Sequence, residues 1–197
     1  MKKRILLLTI LSLLLFARPV NAGPPLDAVQ ANVNKVLDVL RDPKLKAASA
    51  KEAKKQKLWA IYEGMFDDIE LAKRTLGRNW NNMTVEQRKE FVPLFRQVLE
   101  KAYIDKILDY ADEKVIFERE TMSSKTQAEI HSKVATASKE IPITYRVLLK
   151  DGSWKVYDVV VENVSLVLNY RNQFNEILAK DTPAQLIETL RKRVAAH

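Results

Sequence analysis

The side chains that offer proton-transfer chemistry in this 197-residue sequence are a carboxylate and a phenol, Asp158 and Tyr145. Residues 154–161 alternate Trp154, Val156, Asp158 and Val160 against Lys155, Tyr157, Val159 and Val161, which is the period of a strand. The run Lys150-Asp151-Gly152-Ser153 is a two-residue hairpin signal. It sets Leu149 opposite Trp154, Val147 opposite Val156, Tyr145 opposite Asp158 and Ile143 opposite Val160, on a face that is otherwise apolar. A carboxylate beside a tyrosine in such surroundings has its pKa raised by desolvation and can do proton transfer. The competing reading is structural: Asp158 accepts hydrogen bonds from Tyr145 or from the backbone of a neighbouring helix, as a buried polar group must. Arg146 and Arg171 stand likewise between ligand-binding and structural roles.

Other catalytic parts are scarce. The chain has no cysteine, four glycines and two histidines, His131 and His197. No pair has metal-ligand spacing, and there is no Gly-x-Ser-x-Gly elbow for a nucleophile. We therefore expect neither a metal nor a cofactor.

The elements that must position these residues follow from periodicity and caps. After an extended Gly23-Pro24-Pro25, residues 26–41 form a helix that buries Val29, Val33, Val36, Leu37 and Leu40. Ser49 and Glu52 make a capping box for a second helix, with Leu58, Ile61, Tyr62, Met65 and Phe66 on one stripe and Lys51, Lys54, Lys55 and Lys57 on a solvated face. Asp67 and Glu70 cap a short helix that Gly77 stops in a left-handed cap. Thr84 and Gln87 cap the longest helix, to about Tyr110, with a wide apolar face. Pro93 inside it predicts a kink or break near Lys89. Residues 114–121, 125–137, 140–150 and 153–161 read as four strands, and His131 faces away from Ile130 and Val134. Ser165 caps a helix to about Ala179. Thr182, Pro183 and Gln185 start a last helix to about Val194.

Residues 1–22 have a basic start (Lys2, Lys3, Arg4), an apolar run from Ile5 to Phe16 and small residues at Val20 and Ala22, the parts of a cleaved export signal. The run is too short for a spanning helix, which needs about 20 residues. Cleavage after Ala22 leaves 175 of the 197 residues, residues 23–197, as one domain whose core must suffice without disulfides. Loss of four cations and no acid lowers the formal charge from +8 to +4. Export argues against a nucleic-acid partner, whereas anionic membrane surfaces attract lysine and arginine at about 1 kcal/mol each.

The apolar faces exceed what a small core obviously needs, and this favours carriage of an apolar cargo. A two-chain lipid has roughly 30 methylenes, each opposing transfer through water by about 0.8 kcal/mol, so an aqueous crossing needs a protein cavity. Ordinary core packing is the alternative use of the same faces.

The segments 157–167 (Tyr157-Asp158-Val159-Val160-Val161-Glu162-Asn163-Val164-Ser165-Leu166-Val167) and Asn169-Tyr170-Arg171-Asn172-Gln173-Phe174 resemble the signature of the toluene-tolerance, or MlaC, family of periplasmic phospholipid-binding proteins. Met65-Phe66-Asp67, Ala72 to Gly77, and Thr84 to Arg88 with Phe91, Phe95 and Tyr103 agree in order and spacing. Asn163 departs from the family's glycine, and asparagine tolerates the left-handed backbone that glycine provides. The resemblance implies an α+β fold, with a helical layer on a strongly twisted four-stranded antiparallel sheet and a lipid cavity between them. It implies a phospholipid cargo and no reaction. It also implies exchange with an inner-membrane ABC-type transporter complex, through its membrane-tethered substrate-binding subunit, and with an outer-membrane lipoprotein complex. A hopanoid or other polycyclic lipid is the alternative cargo. On this reading the acyl chains touch Phe66, Leu71, Leu76, Phe95, Val98, Leu99, Tyr103, Val147, Trp154, Val156, Val160, Val167, Tyr170 and Phe174.

Overall fold

A computed structural model describes residues 24–109 and 113–196. The expected export signal, Gly23, Tyr110 and His197 lie outside the described residues. The order is α1 (Pro24–Arg41), α2 (Lys51–Met65), α3 (Asp68–Leu76), α4 (Val85–Leu108), β1 (Lys114–Ser124), β2 (Gln127–Ala135), β3 (Glu140–Lys150), β4 (Ser153–Val161), β5 (Val164–Ser165), α5 (Leu166–Leu178) and α6 (Pro183–Ala195). The strands form one antiparallel sheet in the order β1-β2-β3-β4-β5. Helices pack on the sheet, an α+β arrangement. The sheet has a fifth strand beyond the four expected, because the chain folds back after Asn163 and pairs Val164 with Val161 and Ser165 with Val160. Glu162 and Asn163 both take positive φ in that turn, 49° and 66°, so asparagine does supply the left-handed backbone.

Most helix starts form as their sequences dictate. Thr84 with Gln87, and Thr182 with Gln185, make reciprocal capping boxes, and Asp67 accepts the Glu70 N–H at 3.0 Å. Four expectations are corrected. Pro24 and Pro25 open α1 instead of preceding it, since proline suits a first helical turn; the Leu26 N–H there donates to Glu120 Oε2 at 2.9 Å. The Ser49–Glu52 box does not form, because Ala48–Ala50 wind into a 3-10 turn and Ala50 becomes the N-cap of α2. α4 runs unbroken through Pro93, and only Phe91, Phe95, Val98 and Leu99 of its apolar residues are buried. Its last turns project beyond the core, leaving Ala102 and Ile107 exposed.

The apolar interior is in two parts. A helical core gathers Leu71, Leu76, Phe91, Phe95, Val98, Leu99, Val167, Tyr170, Phe174 and Leu186 from α3 to α6. A sheet core sets α1 and Met65 of α2 on the inward face of the strands, with Val29, Val33, Ala128, Ile130, Val147 and Val156. Phe66 packs against both cores.

Gly77 ends α3 at φ 55° and ψ −124°. The positive φ is as expected, but ψ lies outside the left-handed helical region, in a zone that glycine occupies and side-chain-bearing residues avoid. A Cβ there would meet only the Arg171 side chain, at 3.7 Å or more, so substitution costs backbone strain and not overlap. Gly77→Ala is expected to lower the unfolding free energy by about 1–3 kcal/mol, measured by urea titration with an unchanged slope.

Candidate functional site

The β3–β4 hairpin forms with Asp151 and Gly152 at φ 49° and 75°, the mirror-image turn that the sequence specifies. Leu149 faces Trp154 and Val147 faces Val156, as expected. Beyond that point the register changes. Arg146 pairs with Asp158, Tyr145 with Val159 and Ile143 with Val161, so Tyr157 is an extra residue on β4. Such a bulge exchanges the two faces for every later residue. Asp158 and Val160 therefore leave the inward face, and the Tyr145–Asp158 pair does not form. Val159 takes the inward place opposite Tyr145 that was expected of Asp158, and packs against the sheet core.

Asp158 instead faces the start of α5 and is 1% exposed. Its Oδ1 accepts the Val167 N–H at 3.0 Å, and its Oδ2 accepts the Ser165 hydroxyl at 2.7 Å and Arg146 Nη1 at 3.1 Å. Ser165 Oγ accepts the Leu168 N–H at 3.0 Å. Two N–H groups that a helix start leaves without partners are thus satisfied, next to a carboxylate that the helix dipole favours. Arg146 also donates through Nε to Glu129 at 2.9 Å. Arg171 donates to the Arg74 carbonyl at the end of α3, through Nε at 2.9 Å and through Nη2. Both arginines thus hold structural bonds. The Tyr145 hydroxyl is on the inward face, where burial pushes it up to about 12 against the opposing hydrogen bond with Ser132. It is neither beside Asp158 nor poised as a base near neutrality.

The residues expected to touch acyl chains fall into two groups. Leu71, Leu76, Phe95, Val98, Leu99, Val167, Tyr170 and Phe174 are in the helical core, and Tyr103 is half-buried against it. Val147 and Val156 are in the sheet core, with Trp154 packed on its rim. Val160 belongs to neither. Phe66 joins the groups because the turn from α2 to α3 lies along β4: Phe66 bridges to Val156, and the Asp67 N–H donates to the Val156 carbonyl at 2.9 Å. Lys150 Nζ donates to Asp67 Oδ2 at 2.6 Å and fixes that turn to the end of β3. Trp59, Tyr62 and Phe66 stack in sequence along α2, with ring centroids 4.8 and 4.5 Å apart, a ladder of aromatic faces that ends where the cores meet.

Val29 and Val33 of α1, Met65 of α2, and Ala128 and Ile130 of β2 complete the sheet core and were not among the expected contacts. The buried stripe of α1 was legible from its spacing. Its position on the sheet was not, since it depends on contacts about a hundred residues apart in the chain.

This architecture is that of a protein with two apolar layers joined along one strand. Its likeness to a solved structure confirms the fold: the phospholipid-binding protein from Ralstonia solanacearum, solved in complex with a phospholipid, superposes with a TM-score of 0.77 at 23% identity, covering 88% of this chain and 98% of that one. The sequence profile of the MlaC protein family matches residues 30–192. The chain belongs to the MlaC family. It is also 29% identical over 122 residues to the intermembrane phospholipid transport system binding protein MlaC of Haemophilus influenzae, covering 59% of this chain and 55% of that relative's length.

Two predictions follow from the β4 corner. Asp158→Ala should cost about 3–5 kcal/mol, as removal of one partner from a buried charged network does. Arg146→Gln, at a side chain 34% exposed, should cost about 1 kcal/mol; chemical denaturation compares them. For Tyr145 the folded value of about 12 exceeds the unfolded value of about 10. Its contribution to stability is therefore complete below pH ~10 and lost as pH rises toward ~12. In an alkaline titration followed by tyrosinate absorbance, Tyr145→Phe should delete a late-ionising step.

Proposed function

We propose that this protein is a soluble periplasmic carrier that holds the acyl chains of a phospholipid between its helical and sheet cores and shuttles the lipid between membranes. The observation that carries this reading is the junction at Phe66. Two extensive apolar clusters lie on either side of β4, and among the described residues Phe66 packs against both. Parting the layers there exposes apolar walls on both sides while leaving each core's own contacts intact, and acyl chains would then replace the lost burial. The MlaC family assignment and the phospholipid named for the Ralstonia and Haemophilus proteins support the same cargo.

On this reading the signal at residues 1–22 directs export and is removed, leaving residues 23–197 as the carrier. No described helix is long and apolar enough to cross a membrane. The exchange partners are an inner-membrane ABC-type transporter complex, met through its membrane-tethered substrate-binding subunit, and an outer-membrane lipoprotein complex. The acyl chains contact Phe66 first, with Val98, Leu99, Tyr170 and Phe174 on the helical side and Val147, Trp154 and Val156 on the sheet side. The pocket-enzyme reading has lost its constellation, because Tyr145 and Asp158 lie on opposite faces of the sheet.

Native mass spectrometry and lipid extraction test the proposal directly. The gently purified protein should carry a two-chain phospholipid. A polycyclic lipid in its place would change the cargo, and a protein that is empty and takes nothing from vesicles would refute the carrier. Phe66→Glu and Val98→Glu should each reduce bound lipid roughly tenfold or more, since an unpaired charge facing acyl chains costs well above 1.4 kcal/mol. Unchanged circular dichroism would show that the loss is not unfolding.

A further inference from the structure

One end of the helical core finishes in polar groups. On α4 the buried stripe of Phe95 and Leu99 continues to the half-buried Tyr103, and on α6 that of Leu186 and Leu190 continues to the half-buried Arg193. On α5 the stripe passes through Tyr170, one turn before Phe174. The Tyr170 ring stands edge-on to Phe95, with centroids 5.0 Å apart, and the Tyr103 and Tyr170 hydroxyls share a hydrogen bond. Arg193 Nη1 donates to Gln173 Oε1 of α5 at 3.4 Å. Three helices thus bring two phenols and a guanidinium to one rim of the core, a meeting that belongs to the fold and not to any one helix's solvated face.

Donors outnumber acceptors in this cluster. Two hydroxyls that share one hydrogen bond leave one O–H without an acceptor, and a guanidinium only donates. The long contact with Gln173 is the one hydrogen bond that Arg193 makes among the described residues. Burial pushes the Tyr170 phenol up to about 12; the Tyr103 hydroxyl adds to the rise, and the Arg193 charge opposes it. A second cation, Lys106 Nζ, lies 5.7 Å from the centre of the Tyr103 ring. The carboxylates of α4 and α6 nearest in sequence are engaged elsewhere. Glu90 and Glu188 meet Arg191, Asp105 meets Lys51, and Glu100 lines a cleft toward Lys55 of α2.

We propose that Tyr103, Tyr170 and Arg193 form the headgroup end of the cargo site and receive the phosphate diester of the bound lipid, whose chains run past Tyr170 and Phe174 into the core. The inference rests on the carrier reading and adds which rim holds the polar end of the cargo and what it selects. A phosphate diester only accepts hydrogen bonds, which is what a cluster with surplus donors lacks. Arginine meets phosphate with two parallel N–H groups. A tyrosine at such a boundary turns its ring to the apolar side and its hydroxyl to the polar one. The Phe95, Tyr170 and Phe174 rings, in contact with one another, form a continuous apolar wall directly below the hydroxyls. A polycyclic cargo without phosphate would leave the guanidinium unmatched, so the rim favours a phosphorylated lipid.

The test equilibrates the delipidated mature chain with vesicles holding phosphatidylethanolamine and diacylglycerol of the same acyl chains, then extracts and quantifies what the protein has taken up. The wild type should prefer the phospholipid. Arg193→Gln should lose about tenfold in phospholipid uptake, as removal of a charge-assisted hydrogen bond does, with diacylglycerol uptake unchanged. Arg193→Lys should fall between the two. Tyr103→Phe keeps the ring and removes the hydroxyl, and should weaken the phospholipid severalfold more than diacylglycerol. A wild type that takes both lipids without preference overturns the headgroup site and leaves the carrier standing. So do variants that lose both lipids equally, which would make these residues part of the packing alone. If millimolar inorganic phosphate abolishes the preference, the cluster binds free anions and the proposal fails. A wild type that takes up neither lipid refutes the carrier and the site with it.

Discussion

The structure depends on how one buried carboxylate is satisfied. Asp158 is almost wholly out of water, a position that is unfavourable for an ionised group unless hydrogen bonds replace its hydration. It receives three donors, from the backbone of α5, the Ser165 hydroxyl and Arg146. Each donor belongs to a different part of the fold: the first turn of a helix, the short β5 that precedes it, and the neighbouring strand. Satisfying Asp158 therefore fixes the angle at which the helical layer leaves the sheet. The bulge at Tyr157 makes this geometry possible. Without it Asp158 would share the inward face with Val156, far from the α5 N-terminus. With it, β4 turns Val156 into one core and Asp158 toward the other. Tyr157 itself is covered by the Arg74 guanidinium, 3.9 Å from its ring centroid, so the extra residue is packed as well as accommodated.

That arrangement separates rigidity from openness. The helical core is tied together by the edge-to-face and tilted rings of Phe91, Phe95, Tyr170 and Phe174, with centroids 5.0–5.7 Å apart, contacts that add to simple burial. The sheet core is held by paired strands and by α1, whose first turn is anchored on Glu120. Between them stand the polar corner at Asp158, the Asp67–Lys150 bridge and Phe66. On the proposed carrier reading, the layers part along this margin of directional polar contacts and one shared aromatic ring, and each core keeps its own contacts. A protein that takes up and releases an apolar cargo needs that property, because the walls must be exposed only when the cargo replaces their contacts. Family membership and this anatomy point the same way, though they rest on independent observations.

Local signals read well. The capping boxes at Thr84 and Thr182, the caps at Asp67 and Ser165, and the Asp151-Gly152 turn all form as written, because each is decided by a few neighbouring residues with only one good way to pair. The apolar face of α4 was legible for the same reason, apart from its end. Its apolar residues past Leu99 follow the period of a buried face, but no element of the fold is placed to cover them all. Ser49 and Glu52 had the composition of a cap but lost to a 3-10 turn that continues straight into α2. The bulge had no local mark at all: residues 156–161 are apolar on both faces except at Asp158, so alternation could not reveal a shift of one.

The sequence by itself determined the six helices, four of the five strands, most of the helix starts, the α+β class and the pool of apolar side chains available to a cavity, since these follow from propensity, periodicity and short-range hydrogen bonding. Only the tertiary structure decided how that pool divides into two cores, why Val159 and not Val160 faces inward, and that Phe66 is the side chain shared between them. The same step moved Asp158 from a supposed partner of Tyr145 to the anchor of α5. The physical reason is that a one-residue bulge and a buried carboxylate's choice of donors are settled by groups distant in the chain, whose meeting no local pattern records.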